Sequence, residues 1–387
     1  MPLVTFLFMT AVLHWAPQAG TETGTGKAID SWVAAAASEE VSIKVLSFNQ
    51  PDSPASGNPS YQGHGMDAAA LRQVFRDALS TVDVVHLHGA FDPSLSRVLR
   101  LAVREKRSRR RSGRDLSIVL TPHGALSDYV FAKGHLKKAL YWNLVDRGLV
   151  KSVDRVICNT PVEREQFLRR MPGVRCVVVP LVVAPGDPEA RVRENEGTEN
   201  DPPALVTIGR YDIGIKGLDL LIEAVVGLCH RGRNVKLRCI GYDAQGGIDA
   251  LQQVVERLGA SDLVDCAGPK FGAEKLALLN AAAIFCMPSR YESFSYSLME
   301  GLASGRPVLV GAGACVTSYF EPRLANDLVV EPAVADWVDA IERVLDDPES
   351  NRLSAKEAYE ALRRKCSEAE VGASLVEIYR GLAHGTF

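Results

Sequence analysis

The segment IFCMPSRYESFSYSLMEGLASGRPVLVG, residues 284–311, contains two short apolar runs separated by a polar turn and a helical stretch. The runs at 284–287 and 308–310 are uniformly apolar, which is typical of parallel strands that are buried on both faces. Residues 294–304 between them predict a helix, and the serines at its start suit an N-terminal cap. Strand, helix and strand in this order predict a doubly wound α/β sheet.

The same alternation of short apolar runs and helical stretches occupies most of the 387 residues and is interrupted once. Residues 185–203 are rich in proline, glycine and charge, as expected of an exposed interdomain linker. We therefore predict two Rossmann-like α/β domains, residues 1–184 and 204–369, with a cleft between them. The predicted strands are 4–13, 43–48, 82–87, 118–120, 155–158, 176–179, 204–208, 236–240, 264–266, 284–287, 308–310 and 328–330. The predicted helices begin at about residue 27 and then cover 67–80, 93–106, 136–148, 161–170, 218–228, 247–258, 272–281 and 294–304.

The composition is that of an ordinary globular protein, with 47% hydrophobic and 24% charged residues and a net charge of −3. The eight cysteines include no C-x-x-C pair, and several lie in apolar runs, so we expect buried thiols of a reduced, cytoplasmic protein. The apolar run 3–13 is too short to cross a bilayer. It also lacks the basic start and the cleavage site of a signal peptide, although a degenerate signal remains an alternative.

The glycine-rich stretch GTETGTGKA, residues 20–28, resembles a phosphate-binding P-loop but departs from it at two places. Five residues instead of four separate Gly20 from Gly26, and Ala28 stands where a Mg²⁺-binding hydroxyl is required. Besides a true P-loop, two alternatives stay open for this stretch. It is either a flexible turn between strand and helix, or the start of a helix whose free N–H groups face an anion.

Polar residues follow several strands at the edge where open α/β sheets bind ligands. Arg210 and Lys216 lie in the glycine-rich loop after strand 204–208, and two cations there suit a diphosphate. Glu292 follows strand 284–287, and Glu300 comes eight residues later, about two helical turns deeper on nearly the same azimuth. The alternatives are a glycine-rich turn with solvated cations and a solvated pair of glutamates.

Three histidines lie at the ends of strands of the first domain. His86 and His88 lie at the end of the strand 82–87, and His123 lies between a proline and a glycine after strand 118–120. Histidines at such positions are either satisfied core residues or site residues, and the turn favours a site role for His123. No acidic residues accompany them at metal-ligand spacing, so we expect no metal site.

A basic run covers residues 97–114, with nine arginines and lysines against one glutamate. Such a run is typical of a solvated, mobile loop. Attraction to an anionic membrane is the main functional alternative, and nucleic acid is a weaker one.

Several of these motifs together resemble a known family, the retaining GT-B glycosyltransferases of glycosyltransferase family 4. The sequence E-S-F-S-Y-S-L-M-E-G-L-A-S-G-R-P-V, residues 292–308, resembles the E-x7-E signature and the tail of that family. The loop G-R-x5-K-G-L-D-L-L-I-E-A resembles its diphosphate loop. The first-domain segments DVVHLHG, TPHG and VDRVICNTPVERE match in the same order, so the resemblance covers nearly the whole chain.

The resemblance implies a role for each matching residue. Arg210 and Lys216 would bind the diphosphate of a nucleotide sugar, Glu292 would contact the donor sugar, and Glu300 the ribose hydroxyls. His123 would lie near the donor sugar. The remaining residues of the implied donor site are Ser293, Phe294, Ser295, Gly24 and Gly26.

The resemblance also implies the overall chemistry. A hexose would move from a UDP- or GDP-linked donor to a hydroxyl of a glycan or polyprenyl-linked acceptor, with retention and with no metal or other cofactor. Surface polysaccharide biosynthesis would be the setting, at the cytoplasmic face of the inner membrane. A C-terminal helix, about 370–387, would pack back on the first domain. Residues 129–149, with Lys133, Lys137, Lys138, Tyr141 and Trp142, would offer a surface for peripheral contact with an anionic membrane, unless they form an ordinary helix on the sheet.

Other functions remain open at this stage. The family often has glycine where Ser293 and Ser295 stand, which leaves the donor geometry undetermined. A nucleotide-sugar epimerase of the same fold is one alternative, and a catalytically silent subunit of a glycan-assembly complex is another. A P-loop hydrolase that uses Lys27 is the weakest of them.

Overall fold

The computed structural model describes residues 9–16, 23–46, 61–62, 68–132, 135–183, 202–243 and 246–386. The chain divides into two compact units. The first unit is Met1–Val182 with Lys365–Phe387, and the second is Val183–Arg364. Of the predicted linker 185–203, residues 185–201 lie outside the described residues.

The first unit contains a seven-stranded parallel sheet with the strand order β3-β2-β1-β4-β5-β6-β7. The central strands β4 and β5 are buried along their whole length, because helices cover both faces of the sheet. The strands are β1 Thr10–Trp15, β2 Val41–Leu46, β3 Tyr61–Gln62, β4 Val84–His88, β5 Ser117–Thr121, β6 Arg155–Cys158 and β7 Cys176–Val178.

The helices of the first unit lie between these strands, and one comes from the end of the chain. They are α1 Gly24–Ala36, α2 Ala68–Leu79, α3 Pro93–Arg111, α4 Asp128–Ala132, α5 His135–Tyr141, a π-helical turn Trp142–Asp146, α6 Arg147–Val150 and α7 Pro161–Arg170. The last helix, Glu368–Ala383, packs against α1 and against strands β1, β2 and β4. Its packing brings side chains from the end of the chain into the core of the first unit.

The first strand begins later than predicted. The sequence predicted a strand over residues 4–13, whereas β1 covers Thr10–Trp15, and residues 4–8 lie outside the described part of the chain. Pairing with β2 and β4 sets this register, with Thr10 opposite Val41 and Val12 opposite Val84. As a result His14 lies inside the strand and is fully buried.

The interpretation of residues 97–114 as a mobile loop is wrong. Helix α3 continues to Arg111, and the side chain of Arg109 donates to the carbonyl oxygens of Val82 (2.8 Å) and Leu79. These bonds, with the ion pair between Lys106 and Asp154, hold the end of the helix against the unit. Five exposed arginines of α3 recur at helical spacing and form one face: Arg97, Arg100, Arg104, Arg107 and Arg111.

The segment 129–149 exposes leucines instead of the predicted aromatic residues. Trp142 is buried in the core, and the hydroxyl of the half-buried Tyr141 bonds to Ser96 at 2.8 Å. Leu136, Leu140 and Leu144 are 74%, 61% and 75% exposed. Lys133 lies outside the described residues.

The second unit contains a six-stranded parallel sheet in the order β10-β9-β8-β11-β12-β13. Its strands are β8 Ala204–Ile208, β9 Lys236–Ile240, β10 Val264–Cys266, β11 Ile284–Met287, β12 Val308–Gly311 and β13 Val329–Val330. Its helices are α8 Ile213–Lys216, α9 Leu218–His230, α10 Gly247–Arg257, α11 Gly272–Asn280, α12 Tyr296–Ala303, a 3-10 turn Cys315–Tyr319, α13 Pro322–Leu328, α14 Val334–Asp346 and α15 Pro348–Lys365; the last helix of the first unit is α16.

Candidate active site

Lys216 is positioned by a sharp turn between two helices. Asp212 caps the short helix α8 by accepting from the backbone N–H of Ile215 at 3.0 Å. Gly217 then has a left-handed backbone with φ of 66°, and a Cβ at this position would overlap the carbonyl oxygen of Pro288. Only glycine fits there, so the chain turns at once into α9 and leaves Lys216 at the end of α8, in the connection that follows β8.

Glu292 lies in an extended loop after β11 and not on the following helix. Its backbone N–H donates to Gly313 (3.1 Å), and its carbonyl accepts from Cys315 (2.8 Å). Helix α12 begins only at Tyr296, so the expectation that Glu292 and Glu300 share a helical azimuth is wrong. The loop after β12 holds Glu292 in place through these backbone bonds.

The structure brings Lys216 and Glu292 together. Lys216 Nζ donates to Glu292 Oε2, although the two residues are 76 positions apart in the chain. Their side chains are only 16% and 20% exposed, so the pair is partly shielded from water. A partly desolvated cation next to a carboxylate can bind an anionic group and a hydroxyl at the same place.

Arg210 adds a second cation to the loop after β8. One of its terminal nitrogens lies 3.5 Å from Asp212, and the side chain is 41% exposed. Its Nε is buried and has no hydrogen-bond partner within the described residues. A buried donor of this kind usually has a partner.

Glu300 forms an ion pair with Lys275 at 2.6 Å, and its side chain is 34% exposed. The hydroxyl of Ser295 caps α12 by accepting from the N–H of Leu298 at 3.3 Å, and Phe294 is buried. The side chain of Ser295 therefore points into the start of the helix.

A second arginine, Arg290, connects the loops of the site through hydrogen bonds. Arg290 forms two hydrogen bonds to the carboxylate of Asp219, at 2.7 and 3.0 Å, and one to the carbonyl of Ile213 at 3.1 Å. Its backbone N–H donates to Ile215 at 2.8 Å. Arg290 thus joins the loop that carries Glu292 to the helices that carry Lys216.

In the first unit, His123 lies directly after β5 with a positive φ of 48°. Few residues other than glycine adopt this backbone, and such outliers are common at functional sites. The carboxylate of Glu163 supports the turn by accepting from the N–H groups of Gly124 (2.5 Å) and Asn159 (2.7 Å). Nε2 of His123 is 3.0 Å from Nδ1 of His88.

The glycines of the 20–28 stretch lie at the start of α1. Helix α1 begins at Gly24 and not at residue 27, because Thr23 caps it by accepting from the N–H of Gly26 at 3.1 Å. Gly24 is exposed and Gly26 is buried. Residues 20–22 lie outside the described part of the chain.

The histidines of the first unit cluster in its core. His14, His86 and His88 are buried, and their ligating atoms lie within 4.8 Å of one another, a spacing at which a metal ion could be held. Burial lowers the pKa of His14 to about 3 and that of His123 to about 4, and it lowers the pKa of His86 and His88 well below 6.5. The rings are therefore neutral at pH 7, a state that can bind a metal or form hydrogen bonds.

These histidines predict that acid destabilises the first unit. Their folded pKa values lie below 6.5, so the stability they contribute is present above pH 6.5 and is lost as the pH falls towards 4. At pH 5 each fully shifted histidine should cost about 2 kcal/mol relative to pH 7.5. Glu163 has the opposite effect on stability. Burial raises its pKa to about 7, so the stability that it contributes is lost as the pH rises from 4.5 to 7. The four histidines together outweigh Glu163, so the free energy of unfolding of the first unit should fall as the pH is lowered.

The measurement is urea unfolding followed by tryptophan fluorescence at pH 7.5 and pH 5, since Trp15, Trp32 and Trp142 all belong to the first unit. His14→Gln should reduce the difference between the two midpoints, and the exposed His384→Gln should not. Equal midpoints at both pH values in the unaltered chain would contradict the prediction.

Comparison with known families identifies the chain. A family described as "Family 4 Glycosyltransferase in conflict systems" matches residues 101–375, and a "Glycosyl transferase 4-like domain" matches residues 20–181. The first match covers more than half of the chain. The chain belongs to glycosyltransferase family 4.

Curated relatives of this family 4 glycosyltransferase resemble it at between a quarter and a third identity over the matched part of the chain. The D-inositol 3-phosphate glycosyltransferase of Nocardia farcinica is 26% identical over 294 residues, which are 72% of this chain and 62% of the relative. The corresponding protein of Corynebacterium aurimucosum is 28% identical over 251 residues, 61% of this chain and 59% of the relative. The chain thus spans about six tenths of the length of these relatives.

Solved structures show the same fold. Sucrose-phosphate synthase from Thermosynechococcus elongatus has a TM-score of 0.70 at 19% identity, covering 97% of this chain and 100% of that one. HepE of Anabaena, solved in complex with UDP and glucose, has a TM-score of 0.72 at 16% identity, covering 96% and 99%. The predictions of two parallel-sheet α/β domains, of the GT-B fold and of the family are confirmed. Within the described residues, no helix is both long and apolar enough to span a membrane.

Several residues around the site were missed by sequence reasoning. Arg290 and Asp219 stand directly beside the recognised motifs, in SRYE and KGLD, and their adjacency was the available signal. No sequence motif pointed to Lys275, because its partner Glu300 lies 25 residues away. His14 was hidden by the predicted end of the first strand at residue 13.

Proposed function

We propose that this family 4 glycosyltransferase transfers a hexose from a nucleotide-sugar donor to a hydroxyl group of a glycan or lipid-linked acceptor, with retention at the anomeric carbon. The contact between Lys216 and Glu292 carries this proposal. It joins the two motifs that the family resemblance assigns to the diphosphate and to the sugar. The relatives described as glycosyltransferases and the UDP complexes of HepE support it.

In the proposed mechanism Lys216 and Arg210 bind the diphosphate and stabilise the negative charge that develops as the nucleotide leaves. Glu292 accepts hydrogen bonds from sugar hydroxyls, and Lys216 holds its carboxylate in place. Glu300, held by Lys275, accepts from the ribose hydroxyls. Two side-chain cations supply the charge that Mg²⁺ provides in other phosphate-departure sites, so we propose that transfer needs no metal.

The donor is tested by thermal shift with UDP, GDP, ADP and dTDP. We expect UDP or GDP to raise the melting temperature by several degrees, equally with EDTA and with Mg²⁺. Incubation with nucleotide sugars of the stabilising base then identifies the sugar by release of the nucleotide, and NMR of the product shows whether the anomer is retained. A nucleotide effect that requires Mg²⁺ and is lost in Lys27→Ala but kept in Lys216→Ala would favour a P-loop enzyme. No effect of any nucleotide would favour a silent subunit.

The biological setting has two candidates. Surface polysaccharide assembly at the cytoplasmic face of the inner membrane is the first. The description of the matching family, "in conflict systems", favours a second, in which the same transfer serves a biological conflict. A panel of glycan, polyprenyl-linked and protein acceptors separates these settings. Interconversion of the nucleotide sugar without any acceptor would instead indicate an epimerase.

We propose further that the segment 135–150 contacts an anionic membrane peripherally. Leu136, Leu140 and Leu144 recur every four residues and are largely exposed, and Lys137 and Arg147 beside them are exposed as well. An apolar stripe flanked by cations is the pattern of an interfacial helix. The arginine face of α3 supplies additional positive charge to the same unit.

Replacing all three leucines, Leu136, Leu140 and Leu144, with serine should reduce binding to vesicles containing 30 to 40% phosphatidylserine at least tenfold. Sedimentation of the vesicles measures the bound fraction. Leu353, 53% exposed in the second unit, provides the matched control through Leu353→Ser. Undiminished binding of the triple variant would contradict membrane contact through this segment, and a loss of self-association in that variant would indicate a second copy of the chain as the partner.

A further inference from the structure

Three neighbouring helices of the first unit carry most of their exposed charge as cations. Helix α3 packs against α2 on one side and against α6 on the other. The three helices, with residues 112–115 and Lys151 that follow them, contain thirteen arginines and lysines against three acids, although the net charge of the whole chain is −3. The exposed cations among them form a basic face: Arg72, Arg76, Arg97, Arg100, Arg104, Arg107, Arg110, Arg111, Arg114, Arg147 and Lys151.

The acids that approach α3 neutralise only its two half-buried cations. Glu105 pairs with Arg109 at 3.1 Å, and Asp154 pairs with Lys106. The seven exposed arginines of residues 97–114 form no ion pair with any other described residue. Their charge is therefore available to an anionic partner, and it is concentrated on one side of a chain that is acidic elsewhere.

The identity and the spacing of these cations suit a row of phosphates. All seven are arginines, whose planar guanidinium groups bind phosphate through two parallel hydrogen bonds. The row from Arg97 to Arg111 extends about 21 Å along α3, at a rise of about 1.5 Å per residue. One strand of B-DNA carries about six phosphates over that length. Cations on neighbouring helices lie about 8 to 10 Å away, which is enough to reach the second strand across a minor groove about 6 Å wide.

The face lacks the apolar side chains that other anionic partners require. Among the described side chains of α2, α3 and α6, no aromatic or large aliphatic residue is largely exposed. A single-stranded nucleic acid is usually bound by stacking of its bases on aromatic rings. A membrane is usually bound by a helix that also inserts apolar residues. A double-stranded nucleic acid presents only its phosphate backbone and needs neither.

The exposed leucines of segment 135–150 lie at one end of the basic face. Asp146, which follows them in the chain, accepts from the hydroxyl of Ser96 in the first turn of α3 at 2.6 Å. Further along, Asp154 pairs with Lys106, so the two segments run side by side in the same direction. The leucines are therefore beside the start of α3, whereas the arginines continue past them to Arg114.

We propose that the basic face binds the phosphate backbone of a double-stranded nucleic acid without reading its sequence. Helix α3 buries Leu95, Val98 and Leu99 against the unit, so it lies flat and cannot enter a major groove to contact base edges. This binding surface is separate from the candidate active site, and the proposal does not depend on sugar transfer.

Fluorescence anisotropy with labelled duplexes of unrelated sequence, one of DNA and one of RNA, tests the binding. We expect similar affinity for different sequences and a slope of log K against log[NaCl] of about −4.5 to −6, as five to seven phosphate contacts produce. Affinity should therefore fall at least about a hundredfold between 50 and 200 mM NaCl. A slope shallower than about −2, or equal affinity for a single strand of the same length, would overturn the proposal. The assay needs no sugar donor, so a chain without transfer activity would refute the proposed function alone.

A triple variant of α3 locates the surface. Arg104→Gln, Arg107→Gln and Arg111→Gln together should weaken duplex binding at least tenfold and make the slope shallower by about 2 to 3, since each lost phosphate contact removes about 1. Glutamine keeps the helix propensity of arginine, and circular dichroism checks the fold. The matched control removes the same charge from exposed positions of the second unit: Arg257→Gln, Arg363→Gln and Arg364→Gln.

The control variant should bind the duplex within about twofold of the unaltered chain, because its arginines lie outside the basic face. Equal losses in the two triple variants would show that only net charge matters and would overturn the proposal. Anionic vesicles provide the remaining comparison. If the α3 variant loses vesicle binding but keeps duplex binding, the partner of this face is a membrane and the proposal is wrong.

Discussion

Lys216→Ala is expected to lower kcat/KM for sugar transfer by about 10³-fold while the protein stays folded. Removing one preorganised electrostatic group from a transition state usually costs this much. The substitution also leaves Glu292, which is 20% exposed, without its cation. Both effects act on the departing nucleotide and on the sugar at once. Steady-state kinetics with the donor identified by thermal shift measure the loss.

The control for Lys216 is Lys270 of the same unit, which forms an ion pair with Glu274 four residues later. Lys270→Ala should change kcat/KM less than twofold, since pairs near the surface contribute little. Arg210→Ala should resemble Lys216→Ala because Arg210 provides the other cation of the loop. Full activity in both Lys216→Ala and Arg210→Ala would refute the assignment of the diphosphate site.

Arg290→Ala is expected to lower kcat by about 10²-fold, although Arg290 is not proposed to touch the substrate. Its guanidinium joins Asp219 and the carbonyl of Ile213 to the loop that carries Glu292. Without it, Lys216 and Glu292 lose their common support, and displacements of about 1 Å in a site can cost this factor. Arg290→Lys should not restore activity, because lysine cannot form the two parallel bonds.

A double-mutant cycle with Asp219→Ala separates this positioning role from a direct one. If the two residues act as a pair, the double variant should be no worse than the more damaged single variant. Arg233, which pairs with Glu342 and Asp346 in the same unit, is the matched control through Arg233→Ala. Additive losses of activity would show that Arg290 and Asp219 act independently and would contradict the proposed support.

Much of the second unit was predictable because its strands are short apolar runs bounded by turn residues, and the central ones are buried on both faces. Ala204–Ile208, Lys236–Ile240, Val264–Cys266 and Ile284–Met287 have the bounds that the apolar runs predicted. The helices Val334–Asp346 and Pro348–Lys365 were not predicted, since no strand of the second sheet follows them to restart the alternation. The short helix Pro322–Leu328 before β13 was not predicted either. The basic end of α3 was misread because its fold depends on the tertiary bonds of Arg109.

The candidate site, like the fold, has a part that the sequence predicted and a part that it did not. Residue order and spacing predicted Arg210, Lys216, Glu292 and Glu300 as site residues, because a motif consists of residues that lie close together in the sequence. The contact between Lys216 and Glu292 required two strand ends to lie at one edge of the sheet. Arg290 and Lys275 pair with residues on other elements, Asp219 and Glu300. Their partners could therefore not be predicted from spacing along the sequence.

The sequence by itself determined the family and the two parallel sheets, and it proposed the residues of the diphosphate site, since these follow from local apolar patterns and contiguous motifs. Only the tertiary structure decided which side chains meet. A series of side-chain hydrogen bonds connects Thr121 to His123. It passes through His14 and Tyr379, which are 365 positions apart in the sequence. Residues this far apart become neighbours because α16 packs on the sheet, and no motif or spacing in the sequence predicts that contact.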